Sequence, residues 1–396
     1  MPAGAIPTRA LTVLACTAVL FVRKPDAFTN PQLFAEDGTI FFAQQLRLGW
    51  RAHLASYAGY FHEVPRLIAS FADLFPYRFA PGIYAFAALL AILVLVVKLH
   101  SDRLGLPLAP AFAIGVVLVP HFTGEVFLSV TNVQWFLALL LLVVAAQASP
   151  RTLREAVPDW LTALLAGLTG PFAPLLFPAF VARSWRDRSR LGGVTAGLVG
   201  VTGTIQTLAF LRAPVFVPAS PSAQPGSWLD LLGRRCVGML FLGVELPYRI
   251  SPLLLVAGGV AVTGLVIRVL WTRSTPRVTG LLFMAFAAAV TALSFLKFRH
   301  APDLLVPPGA AARYFFVGNV VAVWCLLLAT TSGRGFRRLL PGVLLAAIFV
   351  SSLRSGFRTP PPEDFAWRHY AGRIGSGAPL SIPINPPGWR IELPGK

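Results

Sequence analysis

The sequence predicts an all-α integral membrane protein with about 11 membrane segments, one pair re-entrant, and amphipathic interfacial helices in the first external loop. Three observations carry this. Of 396 residues, 56% are hydrophobic and only 13% charged, against roughly 25% charged in soluble domains. The apolar residues fall in long charge-free windows. Short basic connections separate many of those windows, as the positive-inside pattern requires. A soluble enzyme and a disordered chain are thereby excluded. So is a nucleic-acid-binding domain, because the 34 Lys and Arg behind the net charge of +18 punctuate apolar runs instead of clustering on one soluble surface.

The elements follow in order. Residues 10–22 form an apolar run after Arg9 that ends at Arg23 and Lys24, with no small-residue cleavage site, so it reads as a retained first span. Windows of spanning character follow at 78–98, 103–121, 125–151, 159–183, 190–212, 249–268, 277–297 and 313–334, with a shorter one after Arg338. The basic connections at 98–103, 151–154, 183–190, 268–277 and 334–338 are placed in the cytoplasm. Cys16, Cys236 and Cys325 sit in apolar stretches without a CxxC pair and read as packing residues.

The window at 159–183 does not fit a single crossing. A full span there would export Arg183, Arg186, Arg188 and Arg190 and invert every later basic loop. Its centre carries Gly170, Pro171 and Pro174, and proline breaks the helical ladder. Two half-helices that enter and return on the cytoplasmic side resolve the conflict. The N-terminus is then cytoplasmic and the C-terminus external. Residues 1–353 form the polytopic domain, and 354–396 form a short external tail. The segments 23–78, 212–249 and 354–396 share the external face.

The loop 23–78 is the most informative of these. Glu36, Asp37 and Gly38 interrupt apolar neighbours directly after the first span. Two roles fit Asp37: an N-cap for a helix over 39–48, or a general base held at the membrane surface. Further on, Val64, Leu67, Ile68, Phe71, Leu74 and Phe75 recur at helical spacing, the stripe of an interfacial helix opened by Pro65. Other external residues have the chemistry of recognition. Asn132, Gln134 and Trp135 are types that hydrogen-bond and stack on sugars. Arg66, Arg313 and its neighbour Tyr314 flank span ends, where arginine either snorkels to headgroups or clamps a phosphate. The tail 381–389 is rich in proline and reads as an extended lid folded onto the first loop.

The segments AEDG at 35–38, GYFHEVPRL at 59–67, TNVQW at 131–135, GLTGPF at 167–172, RYFF at 313–316 and INPPGW at 384–389, with a long external loop after span one that carries an acidic pair near its start, resemble the GT-C glycosyltransferases. More narrowly they resemble bacterial multi-pass proteins of that shape. The resemblance implies a polyprenyl-phosphate-linked sugar as donor substrate, transfer on the external face of the bacterial inner membrane, and an inverting mechanism. It implies Asp37 as base. By residue type and position, Glu36, His62, Asn132, Gln134 and Trp135 are the candidates to orient donor or acceptor, and Arg66, Arg313 and Tyr314 the candidates at the phosphate. No dedicated metal motif is present, although a divalent cation shared by Asp37 and a lipid phosphate is compatible with the chemistry. Membrane lipids and an unidentified glycan, lipid or protein acceptor are the other partners, and nucleic acid is not. A lipid-linked saccharide flippase or exporter, and a non-catalytic membrane subunit, are the competing functions.

Overall fold

The computed structural model describes residues 7–121, 123–213, 227–271, 274–305, 311–332 and 335–395. Part of the segment 212–249, expected on the external face, therefore lies outside the described residues. The chain is a helix bundle that suits a multi-pass membrane protein. Helix α1 is Thr8–Arg23, and the first loop holds helix α2, Glu63–Ala72. The bundle continues with α3 (Ala80–Leu99), α4 (Ala109–Leu118), α5 (Val133–Ala146), α6 (Leu153–Gly167), α7 (Ala173–Asp187) and α8 (Arg190–Arg212). It is completed by α9 (Pro252–Leu270), α10 (Ser274–Lys297), α11 (Phe316–Ser332) and α12 (Phe336–Arg354). Among the described residues, five stretches are long and apolar enough to cross a membrane: Tyr77–Leu99, Arg190–Arg212, Pro252–Leu270, Arg277–Lys297 and Ala312–Ser332.

Two expected full-length windows are shorter than the sequence suggested. The window 103–121 yields 10 helical residues and 125–151 yields 14. Helix α4 starts only after Leu108, held in a left-handed conformation at φ 61°. It stops before Pro120, whose ring forces Val119 into extended backbone (ψ 141°). Residues 119–121 and 123–132 then run irregularly, with Gly124 and Leu128 at positive φ, and contribute to the site described below. Helix α5 is apolar on all sides, and every residue from 133 to 145 is buried, so it forms the bundle axis. Phe112 and Phe283 pack on Trp324, with ring centres 6.3 and 5.2 Å away, and the Trp324 indole donates to the Phe112 carbonyl at 3.0 Å.

The connections sort to two ends of the bundle. At one end His100 meets Thr12 (3.2 Å), and Arg103 donates to the Ala148 carbonyl. At the other, Arg23 donates to the Val117 carbonyl (3.0 Å) and Gln206 to the Phe61 carbonyl (3.1 Å). Helices α6 and α7 make a V. Their open ends meet at the first end, where the Ser149 amide donates to Asp187 at 2.9 Å and the Ser189 hydroxyl to the Pro150 carbonyl at 3.2 Å. The tip bonds the first loop: the Glu63 amide donates to the Leu168 carbonyl and the Gly170 amide to the Phe61 carbonyl, each at 3.1 Å. Each arm has 15 residues, about 22 Å of helix against a hydrocarbon core of about 30 Å.

The chain is not wholly α-helical. The tail forms a two-stranded antiparallel hairpin, β1 (Leu380–Ile384) and β2 (Trp389–Leu393), with Ile382 opposite Ile391. As expected of a lid, it folds onto the first loop. Trp367 donates to the Tyr77 carbonyl at 2.9 Å and packs edge-on against Phe42. Ile384 and Ile391 lie so close to Gly38 that a Cβ there would meet them at 2.7 and 2.9 Å.

Candidate functional site

The site is built where the first loop, the 119–132 segment and the start of α11 meet. Ala35 adopts a left-handed conformation at φ 45°. The tail supports it there: the Ala35 amide donates to the Asn385 carbonyl at 2.5 Å, and the Asn385 amide to the Leu33 carbonyl at 3.3 Å. This kink sends Glu36 and Asp37 in different directions as the π-helical turn Asp37–Phe42 begins.

Asp37 does not cap that turn. Its carboxylate points away and is 3% exposed. Oδ1 accepts from the Thr131 amide and the Thr131 hydroxyl, both at 2.6 Å, and Oδ2 accepts from the Val130 amide at 3.2 Å. The N-cap expectation fails because these donors, from a distant loop, satisfy the carboxylate better than the adjacent turn does. Burial pushes its pKa up to about 6 against the opposing pull of the Thr131 and Val130 hydrogen bonds.

Glu36 faces the other way. It accepts from the Tyr57 hydroxyl at 3.2 Å and lies 3.9 Å from the Arg313 guanidinium. Arg313 is held in turn by Glu125, which accepts from its backbone amide at 3.0 Å and from Nη1 at 3.1 Å. Next to this ion group, Lys297 donates to the Tyr314 hydroxyl at 3.0 Å and sits 5.9 Å from the centre of the Tyr60 ring. Two cations and two carboxylates thus meet under an aromatic roof, where low dielectric strengthens every charge contact.

The remaining expected residues divide. His62 is 1% exposed, stacked on Tyr60 with ring centres 4.6 Å apart, and neither ring nitrogen makes a well-formed hydrogen bond among the described residues. Burial, with Arg66 and Lys297 nearby, lowers its pKa to about 3 and keeps it neutral. Gln134 donates to the Thr131 carbonyl at 3.3 Å and lies beside Tyr60. Trp135 packs 5.3 Å from Tyr314 and donates to Asn132 at 3.2 Å. Asn132 itself donates to the Glu125 carbonyl at 2.9 Å, so it shapes the loop that carries Glu125. Arg66 is the outlier. It is 1% exposed, donates to the Gln44 side chain at 2.9 Å and the Ala55 carbonyl at 2.6 Å, and braces the first loop from within.

Helix α2 presents Pro65, Arg66, Ala69 and Ala72 inward, while Leu67, Phe71 and the following Leu74 and Phe75 stay exposed. An apolar stripe turned outward beside a bundle of apolar helices is what an interfacial helix requires.

Sequence reasoning did not assign Glu125, Lys297, Tyr57, Tyr60 or Thr131 to the site. Glu125 and Lys297 left a signal, since each bounds an apolar window and brings a charge to the edge of the bundle. The residues do not fit a divalent cation at Asp37. Three donors occupy its oxygens, and no group of three His, Cys, Asp or Glu able to hold a metal is gathered among the described residues. No family model, curated protein or solved structure matches the chain.

Proposed function

We propose that the chain is a membrane glycosyltransferase that takes a sugar from a polyprenyl-phosphate donor on the external face of a bacterial inner membrane. The observation that carries this is the Glu36–Arg313–Glu125 group. It is a carboxylate and a braced guanidinium at one end of an apolar bundle whose first loop also carries an outward-facing apolar helix that would lie in the interface. A lipid phosphate and its anomeric carbon sit at that depth.

Glu36 is the better placed base. It accepts one phenol hydrogen bond, which leaves acceptor capacity that Asp37 has already used. Glu36 takes the proton of an acceptor hydroxyl as that oxygen bonds to the anomeric carbon. The bond from that carbon to the phosphate oxygen breaks, and the phosphate leaves with the electron pair, inverting the centre. Arg313 and Lys297 face the charge that develops on the leaving oxygen. His62, Gln134 and Trp135 orient the sugar, and Asp37 fixes the loop that presents Glu36.

The same reading places about 11 segments in the membrane, with α6 and α7 as the re-entrant pair. Arms of about 22 Å, shorter than the hydrocarbon core, whose outer ends share one end of the bundle support that. The basic connections at 98–103, 151–154 and 183–190 gather at one end of the bundle, which supports a cytoplasmic assignment for it.

The test is reconstitution of the purified chain in vesicles with a panel of polyprenyl-phosphate hexoses and pentoses, following release of polyprenyl phosphate. Release that requires protein and a hydroxyl acceptor supports transfer. Movement of intact donor between leaflets without release would favour the flippase.

A further inference from the structure

At the opposite end of the bundle from Glu36, buried hydrogen-bonding groups around the last turn of α5 have no partner among the described residues. Arg183 on α7 is 4% exposed. Its Nη1 donates to the Val144 carbonyl and closes the end of α5. Its Nε and Nη2 have no partner among the described residues. Those two nitrogens form the edge of the guanidinium that grips an oxyanion with two parallel hydrogen bonds. Gln147, the residue that ends α5, is 0% exposed, and neither its side-chain nitrogen nor its side-chain oxygen has a partner among the described residues.

The charge around this point is not balanced. Asp159, at 0% side-chain exposure, takes Lys98 and Arg103 at 2.6 Å each. Asp159, Arg103, Asp187 and Arg186 are the charged groups within electrostatic reach of Arg183. Two carboxylates therefore face four cations, Lys98, Arg103, Arg183 and Arg186. Buried polar groups without partners cost free energy unless something fills them. An unpaired guanidinium edge inside a net positive cluster favours an anion.

We infer that Arg183 and Gln147 form a binding site for a phosphate oxyanion, filled by the phosphodiester of a lipid headgroup. The setting favours a lipid source. On the outer side of the same helix Phe177 and Val181 are exposed at 40% and 43%, followed by Trp185 at 84%. Apolar residues ending in an exposed tryptophan mark the membrane–water interface, the depth at which headgroup phosphates lie. The Gln147 oxygen needs a donor as well as its nitrogen an acceptor, and a headgroup hydroxyl next to the phosphate supplies one. This site is separate from the Glu36–Arg313 group and does not depend on the transfer reading.

The experiment uses the delipidated full chain in detergent. Thermal stability is followed on titration with phosphatidylglycerol, with phosphatidylcholine and with inorganic phosphate, and retained lipid is counted by native mass spectrometry. Phosphatidylglycerol should stabilise the protein saturably and remain bound, with phosphatidylcholine weaker. Arg183→Lys, which loses the two-bond edge, and Gln147→Met, which leaves the α5 closure intact, should each raise the half-saturating concentration roughly tenfold or more. Saturable stabilisation by inorganic phosphate with the same dependence on both residues would support the oxyanion site and assign its source to solution. No saturable effect of either phosphate, or an effect that survives in the folded Gln147→Met protein and in Arg183→Lys, would overturn the inference and leave water as the occupant.

Discussion

Thr131 gives Asp37 two hydrogen bonds of 2.6 Å, one from its amide and one from its hydroxyl, both to Oδ1. With the Val130 amide on Oδ2, this ties the first loop to the start of α5. Asp37→Asn would turn an amide NH2 toward at least one of those donors. Leaving a buried donor unsatisfied costs about 1–3 kcal/mol. The expected result is a lower unfolding midpoint in detergent. Thr131→Val should lower it less, and the folded fraction of each should keep its activity within about tenfold. Unchanged stability in Asp37→Asn would remove the anchoring role.

The buried pair His62 and Asp37 should give opposite pH dependence. His62 has a folded pKa of about 3 against 6.5, so its contribution is full above pH 6.5 and is lost as pH falls toward 3. Asp37 has a folded pKa of about 6 against 3.8, so its contribution is full below 3.8 and is lost as pH rises through 6. The two slopes cancel between about pH 4 and 6. His62→Phe keeps a ring among Phe41, Tyr57 and Tyr60 and removes one slope. The variant should therefore be more stable at pH 4.5 than at pH 7, by roughly 2 kcal/mol, while the parent should not. Parallel profiles for the two proteins would contradict this.

The tail should depend on one glycine. A Cβ at Gly38 meets Ile384 and Ile391 side chains at under 3 Å. Gly38→Val should displace the 380–393 hairpin and make the tail the first segment cut by protease, with the bundle left intact. A tail as resistant as in the parent protein would show that the hairpin docks elsewhere.

Sidedness is testable with single cysteines in a Cys236→Ser background, since Cys16 and Cys325 are buried. Arg186→Cys should be labelled by an impermeant thiol reagent only from the cytoplasmic side, and Ser376→Cys only from outside. Labelling of both positions from one side would break the two-end arrangement.

The bundle was legible because charge-free windows and proline punctuation are local signals. The helix break at Gly170 and Pro171 is one example, and the outward stripe of Leu67 and Phe71 is another. The shortened α4 and α5 were less visible, because 119–132 is apolar enough to continue a span and only the packed structure unwinds it. The position of the acidic pair was legible too, but not its division of labour. Adjacent side chains point to different places, and which one meets Thr131 depends on a loop far along the chain and on a tail residue, Asn385, that sets the kink at Ala35. Lys297 and Arg66 show the same limit. Both flank apolar stretches, yet one reaches the Tyr314 hydroxyl and the other is spent inside the loop.

The central claim rests on Glu36 as the base opposite Arg313, and transfer from a polyprenyl-phosphate sugar in vesicles measures it directly. Glu36→Gln keeps the shape and the Tyr57 contact but cannot take a proton. A general base contributes typically 10²–10⁴-fold, so the release rate should fall by at least about a hundredfold while Asp37→Asn, once folded, loses far less. Full release by Glu36→Gln, or a hundredfold loss confined to Asp37→Asn at normal stability, would contradict the assignment.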